Sequence, residues 1–452
     1  MLLTAGGLIA VWWGGIFSLM RFLFPATALM IGGLLFVTNP VLYIGFVWWL
    51  WMLTPMIRRV VDVVAGWADP NPILLAPYLV TALTAFTLIQ NINCLKYRRY
   101  LPFTLALLAI GYGYIIGIIQ VSIFAATFDL LDWLMPVLLG FHISVNWSRF
   151  RQHAKVIQRT FMWGVLVMGI YGIVQFFILP EWDHFWAVNS QMESLGKPEA
   201  LKIRIFSTLN APAPFGHVMM AGLLLLLVGR GYVNIVAAVP GFAAFLLSLS
   251  RQSWGGWFLG LLAIAARATG RLRTRLFVVM CLGGLILLPL ITTDAIYSIV
   301  SSRFDTFSTI EEDTSLAARL SAYKGVALRI INSPQGYGMG VSGSAARLSQ
   351  GGNTTTASLD SGILDISLAL GWPGAAFYFA ALAMLLWSFL RNRSLRMDPL
   401  ALASFGIVLA MLAMLTLGKT QKDVSGIVLW TFIGLCVAFI RYHEEELVDK
   451  EL

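Results

Sequence analysis

The chain has 452 residues, of which 58% are hydrophobic and only 12% charged, with a formal net charge of +9. Soluble globular domains average about 25% charged residues, so a soluble globular fold is excluded. The positive balance does not point to nucleic acid, because the cations are spread over short loops and do not gather on one soluble face.

Apolar runs of roughly 17–25 residues, the length that spans a bilayer, recur along the chain and predict an all-α polytopic membrane protein. A β-barrel would instead show alternating segments of about ten residues. About fourteen spans (twelve to fourteen) are expected from the periodicity. They fall near 3–20, 22–38, 41–57, 73–90, 102–123, 127–146, 159–179, 213–229, 232–249, 253–267, 276–292, 361–390, 399–417 and 426–442. The first twenty residues lack a basic n-region and a cleavage site, and read as a mature helix.

Orientation comes from four short basic loops: Lys96 with Arg98 and Arg99; Arg149, Arg151, Lys155 and Arg159; Arg267, Arg271, Arg273 and Arg275; and Arg391, Arg393 and Arg396. All four share a side if both termini are cytoplasmic, as the positive-inside rule asks. Two segments are too long and polar for simple turns, 180–212 and 293–360, and both fall on the outer, periplasmic side. The chain thus divides into N-terminal transmembrane helices (1–179), a loop (180–212), further helices (213–292), a large loop (293–360) and C-terminal helices (361–452). The large loop has room for about three short helices. Its stretch from Ser315 to Ile331 carries Leu316, Leu320 and Ala327 at helical spacing, with Asp313 as a candidate cap and Ser333-Pro334 as the stop. That is an amphipathic helix on the membrane face. Gly336, Gly338 and Gly340 follow, and alternating glycines let backbone approach a ligand or a neighbouring helix. Residues 341–358 are rich in Ser, Gly and Thr and read as mobile.

The arginines of the outer side carry the functional argument. Arg204, Arg251, Arg303 and Arg319 lie in or beside the long loops, where cations are normally scarce. A charge placed against that bias suggests an anionic ligand. Each constellation also has a plainer reading. Arg251, in Ser250-Arg251-Gln252-Ser253, is either a snorkelling helix end or a bidentate grip on phosphate. Arg303 and Arg319 either pair with Asp305, Glu311 and Glu312 within the loop or face a ligand. Asn210, with Pro212 and Pro214, either caps the next helix or belongs to a site with Arg204. Asp360 either caps a helix or acts as a general base for a sugar hydroxyl. The cysteines (Cys94, Cys281, Cys436) and the five histidines are scattered, so no metal and no cofactor is expected.

Taken together these motifs resemble the O-antigen ligase and Wzy-type polymerase superfamily. The resemblance rests on Arg-x-Phe-Ser-Thr-x-Asn (Arg204 to Asn210), Ser250-Arg251, Ser-x-x-x-Arg (Ser315 to Arg319) with Ser-Pro-x-Gly-x-Gly (Ser333 to Gly338), and Gly371-Trp372-Pro373-Gly374. It covers about residues 200–410 and implies a GT-C-like helical fold in the bacterial inner membrane. The implied activity is metal-independent, inverting glycosyl transfer at the periplasmic face. The implied donor is an undecaprenyl-pyrophosphate-linked glycan, and the acceptor a second glycan, with a chain-length regulator as a candidate protein partner and no nucleic acid. Arg251, Arg319 and Asp360 would be catalytic. Arg204, Arg303, Asn210, Ser250, Ser315 and Gly338 would bind substrate. Ligases of this superfamily carry a histidine eleven residues before the first glycine of the closing helix, where this chain has Asp360. That departure favours a polysaccharide polymerase over a ligase for lipid A-core or protein. A flippase of lipid-linked oligosaccharide is the reading from another class. It would need cations on a path reachable from both sides, whereas these gather at one face.

Overall fold

The computed structural model describes residues 2–229, 231–270, 272–274, 276, 278, 314–343, 345–346 and 361–451. Its helices, in chain order, are α1 (Leu2–Thr38), α2 (Pro40–Ala65), α3 (Leu75–Ala82), α4 (Thr84–Gln90), α5 (Leu101–Gln120), α6 (Ile123–Val145), α7 (Phe150–Ile178), α8 (Glu181–Asn189), α9 (Pro212–Val228), α10 (Tyr232–Leu247), α11 (Arg251–Arg267), α12 (Thr314–Asn332), α13 (Gly362–Arg391), α14 (Pro399–Met414) and α15 (Asp423–Glu451). Eight helical stretches among the described residues are long and apolar enough to cross a membrane, and α9, α10 and α14 are shorter apolar helices. The protein is therefore an all-α, multi-pass membrane protein, whose helices satisfy their own backbone polar groups where lipid offers no partner.

The core is built around α15. Of its membrane-crossing stretch, 94% is buried. Leu429, Trp430, Phe432 and Ile433 have no exposed surface. A helix apolar on all sides belongs inside a bundle. It packs most extensively on α6, where Gly140 and Gly434 meet. A Cβ on Gly434 would stand 2.5 Å from the Gly140 carbonyl oxygen, so the two backbones approach as only small residues allow. Elsewhere α5 pairs with α13, α7 with α10, and α11 with α14.

The four basic loops share one face, here the basic face. Arg99 pairs with Glu444. Arg151 Nε donates to the Tyr442 hydroxyl at 2.9 Å. Arg267 donates to the Leu390 carbonyl at 2.7 Å, and the 3-10 segment Arg393–Met397 packs on both α14 and α15. The opposite end of the bundle, the loop face, carries α8, α12 and the helix starts discussed below.

The structure differs from the sequence expectation at the N-terminus. The spans expected at 3–20 and 22–38 are one helix, with Pro25 inside it and a membrane-crossing stretch from Phe17 to Thr38. Arg21, between the two expected spans, marks no turn. It reaches across to α2, pairing with Asp62 at 3.2 Å and donating to the Ala65 carbonyl at 3.4 Å. Asp62 and Ala65 end α2 at the loop face, so Arg21 lies at that face, whereas Glu444 lies at the basic face. The expected span at 73–90 is present but broken at Leu83 into α3 and α4. That at 276–292 lies, apart from Leu276 and Val278, outside the described residues.

Candidate functional site

The segment from Ile203 to Asn210 is threaded through the loop face by side chain–backbone hydrogen bonds. Ser207 is in the left-handed region (φ 51°), a strained turn for a residue with a Cβ. Gln175 stabilises it, its Oε1 accepting from the amides of Phe206 at 3.0 Å and Ser207 at 2.8 Å. The Ser207 hydroxyl donates to the Met168 carbonyl at 2.6 Å. Below this turn lies a fully buried ion pair, Arg59 with Asp183 at 2.8 Å. Tyr171 and Gln175 also donate to Asp183, at 2.6 and 2.8 Å. Asn210 does not cap α9. The N-cap is Ala211, and Pro212 takes the first helical position. The Asn210 carbonyl accepts from Trp186 at 3.1 Å, while its side-chain Oδ1 is buried with no partner among the described residues.

Arg204 reaches three backbone carbonyls: Ser248 at 3.2 Å, Leu249 at 3.0 Å and Ser194 at 3.1 Å. Two of these belong to the turn between α10 and α11, whose Leu249 has φ 51°. The guanidinium therefore holds the shape of the turn that presents Ser250 and Arg251. Ser250 occupies the N-cap position of α11 without a side-chain cap bond, and its Oγ lies 2.8 Å from the Ser253 hydroxyl. Arg251 follows, half-buried, as the first residue of α11. A helix N-terminus carries partial positive charge and unpaired amides, so an arginine there adds to a local field that favours anions.

The α11 turn abuts the connection between α14 and α15, the run Gly418-Lys419-Thr420-Gln421-Lys422. A Cβ on Gly418 would stand 2.5 Å from Gln252 Oε1. Arg251 and Lys419 are thus sequence neighbours of two residues in contact. Gln252 Nε2 is 3.3 Å from His217 Nε2, and His217 Nδ1 is 2.8 Å from the Ser425 hydroxyl, which binds α9, α11 and α15 together.

Below that connection is a buried network of charges. Lys422 Nζ lies 3.0 Å from a carboxylate oxygen of Asp129 on α6 and 3.0 Å from one of Asp365 on α13. Lys419 Nζ is 3.1 Å from the other Asp365 oxygen. Asp365 also accepts from the Ser342 hydroxyl at 2.5 Å and the Gln421 amide at 2.8 Å. The second oxygen of Asp129 accepts the Gly340 amide at 3.0 Å. Burial disfavours the charged form of Lys422, but Asp129 and Asp365 more than offset this and hold its pKa above the usual lysine value. Lys422 is 7% exposed, whereas Lys419, with 21% of its side chain accessible, sits at the mouth.

The glycine run approaches helices. Gly336, Gly338 and Gly340 all have φ between 81° and 88°. A Cβ on Gly338 would overlap the Gly117 backbone of α5, and one on Gly336 would overlap Gly371, itself at φ 60° where α13 kinks. Met339 between them has no exposed surface, and its amide donates to the Gly113 carbonyl at 3.0 Å. The run inserts between α5 and α13 and delivers Gly340 and Ser342 to the charge network. Part of the stretch expected to be mobile is therefore fixed: Ser342 is buried and bonded to Asp365.

The remaining sequence candidates are placed less fully. The expected amphipathic helix is present as α12, which includes Ser315 and Arg319 and packs on α13; the side chains of those two residues lie outside the described part. Arg303 and Asp360 lie outside it altogether. Gly362, two residues after Asp360, donates its amide to the carbonyls of Leu415 at 2.9 Å and Gly418 at 3.1 Å, so α13 begins against the lysine-bearing connection.

Lys419 and Lys422 were missed in the sequence. Their signal was the one used for the arginines: two cations in a short connection at the face that should be poor in them.

Residues 236–379 match the family model described as O-antigen ligase. No curated protein matches the chain. The matched stretch takes in most of α10, all of α11 and α12 and the first part of α13, hence Arg251 and Arg319, and leaves Arg204, Lys419 and Lys422 outside it. The match supports the superfamily resemblance carried by the sequence motifs, and with it an O-antigen ligase/polymerase-type role in general.

Proposed function

We propose that this chain is a polysaccharide polymerase of the bacterial inner membrane. It transfers a glycan from an undecaprenyl-pyrophosphate carrier to the non-reducing end of a second lipid-linked repeat unit, at the periplasmic face. The observation that carries the reading is the pairing of the Arg251 turn with the Lys419 connection across the Gln252–Gly418 contact, within and beside the matched stretch. A cation at the start of α11 and another in the adjoining connection suit a diphosphate. The acceptor hydroxyl attacks the anomeric carbon from the face opposite the pyrophosphate, so the configuration inverts. The bond from that carbon to the phosphate oxygen breaks, and polyprenyl pyrophosphate leaves with the electron pair. Arg251 and Arg319 neutralise that leaving group, with Lys419 and Arg303 assisting. Preorganised charge of this kind is often the largest catalytic contribution. Arg204 acts as a positioning residue through the turn it holds. The Asp360 carboxylate takes the hydroxyl proton, and its presence in place of the ligase histidine favours polymerase over ligase.

The test is incubation of the purified protein with an undecaprenyl-pyrophosphate-linked repeat unit. A ladder of products supports the polymerase. A single addition to a foreign acceptor makes the protein a ligase, and translocation of the lipid-linked glycan across the bilayer of a vesicle with no new glycosidic bond removes the enzyme reading.

A further inference from the structure

At the basic face, the far end of α11 from Arg251, a cavity of about 540 Å³ is walled by Arg267, Arg273, Arg393, Arg396 and Leu390. Among the described residues no acidic side chain lines it. We propose that this cavity binds the phosphate-bearing headgroup of an anionic phospholipid from the surrounding membrane. The inference is independent of the catalytic reading.

The four guanidinium groups come from two separate segments, α11 with the residues after it and the 3-10 turn between α13 and α14. Arg267 is already committed to structure. It donates to the carbonyls of Phe389 at 2.9 Å and Leu390 at 2.7 Å, and stacks 4.2 Å above the Phe405 ring. Its bonds to the last carbonyls of α13 fix one wall. Arg273, Arg393 and Arg396 are exposed. Among the described residues no carboxylate lies within ion-pair distance of these four arginines. Asp398, the nearest acid in sequence to Arg396, is turned to capping α14, accepting from the amides of Leu400 at 2.8 Å and Ala401 at 3.0 Å. Like charges held around one hollow repel, and a bound anion removes that cost. Arginine suits phosphate because its planar fork makes paired hydrogen bonds.

The choice of a lipid over free phosphate comes from the wall that is not basic. Leu390 lines the cavity yet is 44% exposed, and Trp387 and Met397 beside it are 62% and 63% exposed. The hollow therefore opens against apolar surface at the level where tryptophan marks the membrane interface. A headgroup would enter the cavity while its acyl chains lie along Leu390 and Trp387. Basic hollows between membrane helices are a recurrent headgroup site.

The experiment uses the full-length protein in neutral detergent, with lipid adducts counted by native mass spectrometry and the unfolding midpoint followed by tryptophan fluorescence. Phosphatidylglycerol should bind at least about tenfold more tightly than phosphatidylcholine and raise the midpoint. R393Q/R396Q and, separately, R273Q should each abolish that preference while keeping the wild-type midpoint in phosphatidylcholine. The control K96Q/R98Q, at the same face but away from the cavity, should keep the preference. Equal loss in the control, or an unchanged preference in both cavity variants, overturns the proposal. An equal midpoint shift from inorganic phosphate at the same concentration overturns the lipid and makes the occupant a free anion.

Discussion

Lys422 on the α14–α15 connection and Asp129 on α6 meet at 3.0 Å across 293 residues of chain. Asp365 on α13 completes the arrangement at 3.0 Å from the same ammonium. Two lysines and two carboxylates thus pair at these distances in a buried site, and the neighbouring Asp132 and Asp423 carboxyls also act on Lys422. Such networks are costly to build, and removing one partner strands the rest.

Lys422→Met should accordingly destabilise the protein by about 3–5 kcal/mol, the usual consequence of leaving a buried carboxylate unpaired. The measurement is the unfolding midpoint in detergent. D129N/K422M should recover part of the loss, because it removes charge from both sides. If the double variant is as unstable as the sum of the singles, the pair is not the source of the effect.

Arg251→Ala and Lys419→Ala should each lower polymer formation by roughly 10²–10³ if they stabilise the departing pyrophosphate. Arg251 is only partly buried, so its replacement should leave membrane insertion and the unfolding midpoint near wild type, whereas Lys419→Ala also removes a partner of the buried Asp365 and should lower the midpoint. Arg251→Lys should restore less than the charge count predicts, since an ammonium cannot grip two oxygens in one plane. Wild-type chain length in Lys419→Ala would confine that residue to pairing with Asp365.

How much of this was legible in the chain follows from the range of the interactions involved. Helix α12 was readable because its apolar spacing and its Ser333-Pro334 stop are local. The basic face was readable because the four loops each carry their own charge. The glycine run announced a close approach, but only packing shows that Gly338 meets Gly117 and Gly336 meets Gly371. The role of Arg204 was not legible, since its partners are backbone carbonyls of Ser248 and Leu249, which have no sequence signature. Arg21 misled for the related reason that a cation within an apolar run resembles a loop, whereas Asp62 on the neighbouring helix receives it. Lys422 needed both Asp129 and Asp365, and neither lies near it in sequence.

Gly338→Ala should test whether the glycine run is structural. The residue has φ 81° and its Cβ would meet the Gly117 backbone. Left-handed strain alone costs about 1–3 kcal/mol, and the overlap adds to it. The expected result is a lower unfolding midpoint together with faster proteolysis of the 333–346 segment, because Ser342 would be drawn from Asp365. An Ala substitution that leaves both unchanged would show that α5 and α13 can part without cost.

Asp360→Asn separates a proton acceptor from a helix cap. An amide keeps the size and the capping oxygen of the carboxylate, so a capping role predicts activity within about tenfold of wild type. A base predicts a loss of roughly 10²–10⁴ in the rate of ladder formation at saturating donor, with donor affinity little changed. The two outcomes also differ in pH dependence. With a carboxylate base, the wild-type rate falls as pH drops through the pKa of that group, because the protonated form cannot take the acceptor proton, whereas the residual rate of the Asn variant lacks that limb. Assays of the wild type and Asp360→Asn across the acid range, with the donor held at saturation, therefore decide whether the aspartate that stands in the place of the ligase histidine does the same chemical work.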